Sequence, residues 1–122
     1  MKIAVSATGK TMESQIDQRF GRAASFIIVE TETMDYEAID NLATLSSGGA
    51  GISSAQSVAE KDVKAVITGN VGPNAMNVLK AASIEIYKAA ASTVKENVEL
   101  FKKGVLEKIS TTVPPHFGLG GK

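Results

Sequence analysis

The sequence has no cysteine and no tryptophan, and only one histidine and three prolines among its 122 residues. Without cysteine there is no disulfide, no thiolate nucleophile, no cysteine zinc site and no iron–sulfur cluster ligated by the chain's own thiolates. A single histidine excludes an intramolecular set of imidazole ligands. Neither sign of charge is in excess, since 13 Lys+Arg balance 13 Asp+Glu. Such a chain lacks the cationic surplus that drives general nucleic-acid binding or attachment to anionic lipid. No apolar run approaches the roughly 18–20 residues that cross a bilayer. Met1-Lys2-Ile3-Ala4-Val5-Ser6 enters a strand pattern directly, with no signal-peptide hydrophobic region or cleavage site, so a cytoplasmic location is expected.

The hydrophobic fraction, 43%, is enough to build a core, and the length suits one domain. Ile3–Ala7 reads as a buried strand closed by Thr8-Gly9. A polar stretch, Lys10–Arg22, follows. Ser25–Glu32, with Phe26-Ile27-Ile28-Val29, makes a second strand. Thr33-Met34-Asp35 turns the chain into Tyr36–Asp40, a third strand. Its alternation is weak, with Tyr36, Ala38 and Asp40 on one side and Glu37 and Ile39 on the other, which places it at the sheet edge.

Asn41–Gly51 reads as a Gly/Ser-rich loop. Ile52, Ala55 and Ala59 mark one face of a helix running to about Lys61. Val63–Thr68 is a fourth strand. Gly69-Asn70-Val71-Gly72-Pro73 leads into a helix buried through Ala75, Val78, Leu79 and Ala82. Ile84–Lys88 is a fifth strand. Thr93-Val94-Lys95-Glu96 is a capping box opening a third helix with the stripe Val94, Val98, Phe101. Val105–Ile109 is expected to pack locally. The domain is thus bounded at 1–109, and 110–122, with Pro114-Pro115, His116 and several glycines, is expected to be a flexible tail.

The order β-β-β-α-β-α-β-α combines an opening hairpin with right-handed strand–helix crossovers. A mixed five-stranded sheet of order 3-2-1-4-5 with three helices satisfies both. This is an α/β, ribonuclease-H-like arrangement.

Ligands of open α/β sheets bind beyond the carboxyl ends of the parallel strands. Three segments leave those ends: Thr8–Arg22, Gly69–Pro73 and Ala89–Thr93. The latter two enter helices, whose first amides and positive dipole ends favour anions. Arg19 and Arg22 lie in the first. Together with Gly21, Gly69, Asn70, Gly72 and Thr93 they form the candidate anion site. Two readings stand for the glycine loop, a tight turn or a phosphate cradle. Two also stand for Arg22, an ion-pair partner for Asp17 or a strand carboxylate, or part of an anion fork. Gly48, Gly49 and Gly51 match no full phosphate-binding fingerprint and read as a flexible loop. His116 is either an exposed tail residue or a metal ligand.

No catalytic constellation is present in the sequence. Two-metal phosphodiester chemistry needs carboxylates converging on the central strand, and Ile3–Ala7 has none. The serines and threonines lack a paired His or a Gly-x-Ser-x-Gly elbow.

Three segments in this order form a recognisable series: Asp17-Gln18-Arg19-Phe20-Gly21-Arg22-Ala23 with Phe26, then Gly48-Gly49-Ala50-Gly51-Ile52, then Thr68-Gly69-Asn70-Val71-Gly72-Pro73-Asn74-Ala75. The series resembles the dinitrogenase iron–molybdenum cofactor biosynthesis family, from Met1 to about Leu106. The resemblance implies a ribonuclease-H-like fold and a non-catalytic role, binding or carrying an iron–molybdenum-type or iron–sulfur cofactor or its precursor. It implies Gly21, Arg22, Gly69 and Gly72 as ligand-proximal positions, and cofactor-assembly proteins as partners. Some family members carry His before Phe-Gly-Arg. Here Arg19 stands there and cannot ligate a metal, so the cargo would be held by non-covalent contacts. Two other expectations remain: a binding module for a phosphorylated or carboxylated metabolite, or an interaction adaptor without a small ligand. The protein is expected to be a monomer or a homodimer, the latter pairing through an open sheet edge.

Overall fold

A computed structural model describes residues 1–41 and 50–109. The five strands are β1 (Lys2–Ala7), β2 (Ser25–Glu30), β3 (Tyr36–Asp40), β4 (Ala65–Thr68) and β5 (Glu85–Lys88). The helices are α1 (Ala50–Ala59), α2 (Pro73–Ala81) and α3 (Val94–Lys102). The sheet order is β3-β2-β1-β4-β5, as expected from the connectivity. β1 pairs antiparallel with β2 and parallel with β4, so the hairpin and crossover halves meet on this central strand.

The strand sequences explain the two-sided core. β1 alternates Ala4 into one layer with Ile3, Val5 and Ala7 into the other, and all four are fully buried. The first layer joins the sheet to α1 and α2 through Phe20, Phe26, Val58, Val66 and Leu79. The second joins it to α3 through Ile27, Ile67, Val94 and Val98. In β3, Ile39 packs toward the first layer and Ala38 toward the second, the two-sided assignment expected from its weak alternation.

Several element ends differ from the sequence reading. β2 stops at Glu30, because Met34 adopts φ 65° and its amide turns back to the Glu30 carbonyl, 2.7 Å. β4 starts at Ala65, because Asp62 at φ 63° ends the turn after α1. β5 starts at Glu85, with Ser83 at φ 61° after α2. Phe20–Arg22, at the end of the polar stretch after β1, is a short 3-10 helix. Val105–Ile109 packs locally as expected: Leu106 is buried, Lys88 N–H donates to the Glu107 carbonyl at 2.8 Å and Ile109 N–H to the Ile86 carbonyl at 2.7 Å. The expected tail 110–122 lies outside the described residues, as does His116. Among the described residues no helix is long and apolar enough to cross a membrane.

Candidate functional site

The carboxyl ends of β1 and β4 are held together by buried hydroxyls. Ser6 Oγ lies 2.7 Å from Thr68 Oγ1 and 2.6 Å from the Asp17 carbonyl, and both hydroxyl residues are fully buried. This fixes the segment after β1 against the sheet. Asp17 then turns that segment: its Oδ1 accepts from the Arg19 amide at 3.0 Å and lies 3.4 Å from Arg19 Nε. Asp17 therefore pairs with Arg19, not with Arg22. Arg19 is 68% exposed in its side chain, so the pair serves mainly to set the turn.

The β1 segment crosses the β4–α2 loop at close range. Asn70 N–H donates to the Gln18 carbonyl at 2.7 Å, and Phe20 N–H donates to the Asn70 carbonyl at 3.1 Å. Gly69 is buried beneath this crossing. A Cβ at Gly69 would sit 2.8 Å from the Gln18 carbonyl oxygen and 2.9 Å from its Cα. The backbone N–H and C=O of Asn70 are thus consumed in joining two loops, and Gly69 is packed against Gln18. The tight-turn reading holds for this end of the glycine loop.

Past the crossing, a cavity of about 250 Å³ opens, lined by Gly21, Gly51, Ile52, Gly72, Pro73, Asn74 and Ala75. It lies where the 3-10 helix meets the first turns of α1 and α2. α2 starts with Gly72 as an N-cap that has no side-chain capping bond and Pro73 in the first turn. Among the described residues, nothing accepts from the amides of Asn74 and Ala75. A Cβ on Gly72 would meet nothing within 4 Å, so that residue borders open space. On Gly51 it would lie 3.3 Å from the Ala75 Cβ, so glycine lets the two helix starts come close. Two helix N-termini, each carrying partial positive charge, therefore face one cavity.

The wall behind Gly21 is a buried polar network. Asn41 Nδ2 donates to the carbonyls of Ala23 at 2.9 Å and Gly21 at 3.2 Å, and Ser54 Oγ donates to Asn41 Oδ1 at 2.9 Å. Asn41 directly follows β3 and Ser54 sits in α1, so the network ties hairpin, 3-10 helix and helix together. Arg22 stands next to Gly21, exposed, with no ion-pair partner among the described residues.

The start of α3, expected to contribute to the same anion site through Thr93, is closed. Val94 N–H donates to the Ser14 carbonyl and Lys95 N–H to the Met12 carbonyl, both at 2.9 Å. Glu96 N–H donates to Thr93 Oγ1 at 3.2 Å and the Glu96 carboxylate accepts from Thr93 N–H at 3.2 Å. The fully buried Asn97 spends its carbonyl on the amides of Ala90 and Ala91 and its amide on the carbonyls of Ala91 and Thr93. Thr93 thus caps a helix and faces no cavity with Gly21 or Gly72.

Of the expected site residues, Gly21 and Gly72 line the cavity, and Arg22 follows Gly21 in the chain without being one of the lining residues. Arg19, Gly69 and Asn70 shape the adjoining crossing, Thr93 lies apart, and His116 is beyond the described residues. Sequence reading missed Gly51, Ile52, Pro73, Asn74 and Ala75, although all five belong to the segments that carry the family resemblance. Among the described residues, no group of three or more His, Asp or Glu side chains is placed to hold a metal ion.

The fold and this cleft define a small α/β protein with a candidate site lined largely by backbone and glycine. The chain belongs to the dinitrogenase iron-molybdenum cofactor family, whose sequence pattern matches residues 1–104. It is 37% identical over 111 residues to an uncharacterized protein of Methanocaldococcus jannaschii, covering 88% of this chain and 91% of that one. It is also similar to the apo form of the orange protein from Desulfovibrio gigas, with a TM-score of 0.86 and 38% identity over 89% of this chain and 92% of that chain. A Thermotoga protein named after NifB, solved by NMR, gives a TM-score of 0.82 and 36% identity over 93% of this chain and 97% of that chain.

Proposed function

We propose that this protein holds an anionic metal–sulfur cofactor, or a precursor of one, in the cavity between the 3-10 helix and the starts of α1 and α2, and releases it unchanged. The family membership and the names of its relatives support a role around nitrogenase-type cofactors. The observation that carries the reading is the convergence of three separated segments, through Gly21, Gly51 and Gly72, on a cavity that faces two helix N-termini. The chain has no cysteine to ligate iron, so the cargo arrives with its own sulfur and is gripped from outside.

The energetics suit a multiply charged cargo. A helix N-terminus contributes ~0.3–1 kcal/mol, or ~2 in a partly buried site. A charge-assisted hydrogen bond adds ~1.5–3 kcal/mol. Micromolar affinity needs about 8 kcal/mol. The amides of Asn74 and Ala75, two helix ends and the Arg22 guanidinium reach that figure only when several act on one ligand, with Ile52 and Pro73 supplying apolar contact. Anaerobic incubation with an iron–sulfide or thiomolybdate cluster, followed by gel filtration, tests the reading. Visible absorption co-eluting with wild type and lost in Arg22→Ala is expected. Absorption that never co-elutes would refute it.

The open amides of Asn74 and Ala75 favour one second reading, a site for a phosphorylated or carboxylated metabolite. A thermal-shift screen separates the two, because a metabolite at 100 times its Kd stabilises by about 2.7 kcal/mol.

A further inference from the structure

The two edges of the sheet are treated differently. The outer edge of β5 is covered by the chain itself, through the bonds from Lys88 to Glu107 and from Ile109 to Ile86. The outer edge of β3 has no such cover among the described residues. Its phase is fixed by the bonds Glu30 N–H to Asp35 carbonyl, 2.8 Å, and Asn41 N–H to Ala24 carbonyl, 3.1 Å. In the antiparallel register Tyr36 opposite Val29 to Asp40 opposite Ser25, these bonds turn Glu37 and Ile39 inward to β2. The N–H and C=O groups of Tyr36, Ala38 and Asp40 therefore point outward, and none has a partner among the described residues.

Proteins guard such edges with proline, a bulge, lysine or a covering segment. β3 has no proline and no lysine, and its register against β2 runs without a skipped residue. Its two acids are each neutralised within the chain. Asp40 lies 2.9 Å from Lys10 Nζ, and Glu37 lies 3.5 Å from Lys61 Nζ. Tyr36, beside them, is a large apolar side chain left 45% exposed.

We propose that the β3 edge is an interface for a second copy of this chain, which adds its own β3 antiparallel across a two-fold axis at Ala38. Only that register pairs the whole strand with itself while keeping outward groups opposite outward groups. Tyr36 then lies opposite the partner copy's Asp40, Glu37 opposite its Ile39, and Ala38 opposite its Ala38. No charge meets a like charge directly across the pair, the arrangement that would oppose cross-strand contact. A register one residue earlier sets Glu37 against Glu37. The outcome is one continuous sheet through two molecules. The inference stands independently of what the cavity holds.

The interface is short, so association is concentration-dependent and of the weak class that buries less than about 1,200 Å². Sedimentation velocity of the full chain from about 10 µM to about 1 mM reads it, a range that brackets weak dimers. Wild type is expected to move from monomer to dimer. Ala38→Pro removes an outward N–H without touching the β2 ladder and is expected to stay monomeric with unchanged circular dichroism. Ala38→Lys, which sets like charges across the axis, is expected to do the same. Amide exchange gives a readout without substitution: Tyr36, Ala38 and Asp40 gain protection as concentration rises, while Glu37 and Ile39 are protected throughout. A wild type monomeric at about 1 mM, a dimer persisting in both variants, or concentration-dependent protection confined to other segments would each overturn the proposal.

Discussion

Gly69 lies against the backbone of Gln18 so closely that a methyl group there would come within 2.8 Å of the Gln18 carbonyl oxygen. The end of the Gln18 side chain also stands in the way and can swing aside, but the Gln18 backbone, held by the 2.7 Å bond from Asn70 N–H, cannot. Gly69→Ala should therefore force the two loops apart, costing ~1–3 kcal/mol as overpacking does. Urea denaturation checks this, and the same variant should weaken cargo binding because the crossing positions Gly21 and Gly72 together. A variant as stable as wild type would show that the crossing yields easily.

Thr93 and Asn97 are predicted to matter for stability and not for binding. Thr93→Ala removes the cap of α3, at a cost of ~0.5–2 kcal/mol. Asn97→Ala leaves several backbone groups of the β5–α3 loop without partners, each costing ~1–3 kcal/mol, so it should be the more damaging of the two. Chemical denaturation measures both. Cargo affinity of the folded fraction should be unchanged, since neither residue lines the cavity.

At the cavity the expected pattern is reversed. A Cβ at Gly72 meets open space and the residue's φ of −76° suits any L-amino acid, so Gly72→Leu should fold within ~0.5 kcal/mol of wild type. Its side chain would occupy the space above the α2 start and lower affinity by about tenfold or more, ~1.4 kcal/mol. Arg22→Ala, with no ion pair among the described residues to lose, should leave stability unchanged and lose ~1.5–3 kcal/mol of binding. Isothermal titration alongside thermal melting separates the two effects.

The segment covering β5 is predicted to respond to pH at both ends of the range. The Tyr87 hydroxyl donates to Glu85 at 2.7 Å and Lys108 Nζ lies 3.0 Å from the same carboxylate. Together they hold the Glu85 carboxyl below its ordinary range. The shared carboxylate in turn raises Tyr87, helped by burial, and raises Lys108. A lowered carboxyl contributes stability that is full above its unfolded pKa, roughly 4.3, and lost as pH falls through the folded value. A raised Tyr or Lys contributes stability that is full below its unfolded pKa and lost as pH rises through the folded value. Wild type should therefore melt slightly above Glu85→Gln near neutral pH and converge with it in acid, where Glu85 is protonated. Glu85 and Lys108 are exposed, so the difference is small. A constant difference down to acid pH would contradict the arrangement.

How far the sequence disclosed this molecule differs by region. The sheet order followed from strand-length apolar runs such as Phe26-Ile27-Ile28-Val29 and from crossovers that must be right-handed. The capping box of Thr93 and Glu96 was also legible, and it carried its own refutation of a ligand role there: a cap that accepts the Glu96 amide leaves that amide unavailable. The cavity was not legible from periodicity. Phe20-Gly21-Arg22 is too short to show a repeat, and its 3-10 turn depends on contacts with Asn70 and Asn41 far along the chain. Gly51 looked like loop flexibility but sits inside α1, where its lack of a side chain admits Ala75 of α2. Only the ordered series of three segments pointed to that convergence.

Backbone amides report on the cargo site most directly. Two-dimensional ¹H–¹⁵N spectra, recorded anaerobically while a soluble anionic metal–sulfur cluster is titrated in, should show shifts or broadening confined to Gly21, Gly51, Ile52, Asn74 and Ala75 and their neighbours, with Val94, Lys95 and Glu96 unmoved. Unchanged spectra at saturating cluster, or perturbation centred on the start of α3 with the cavity amides still, would contradict the account.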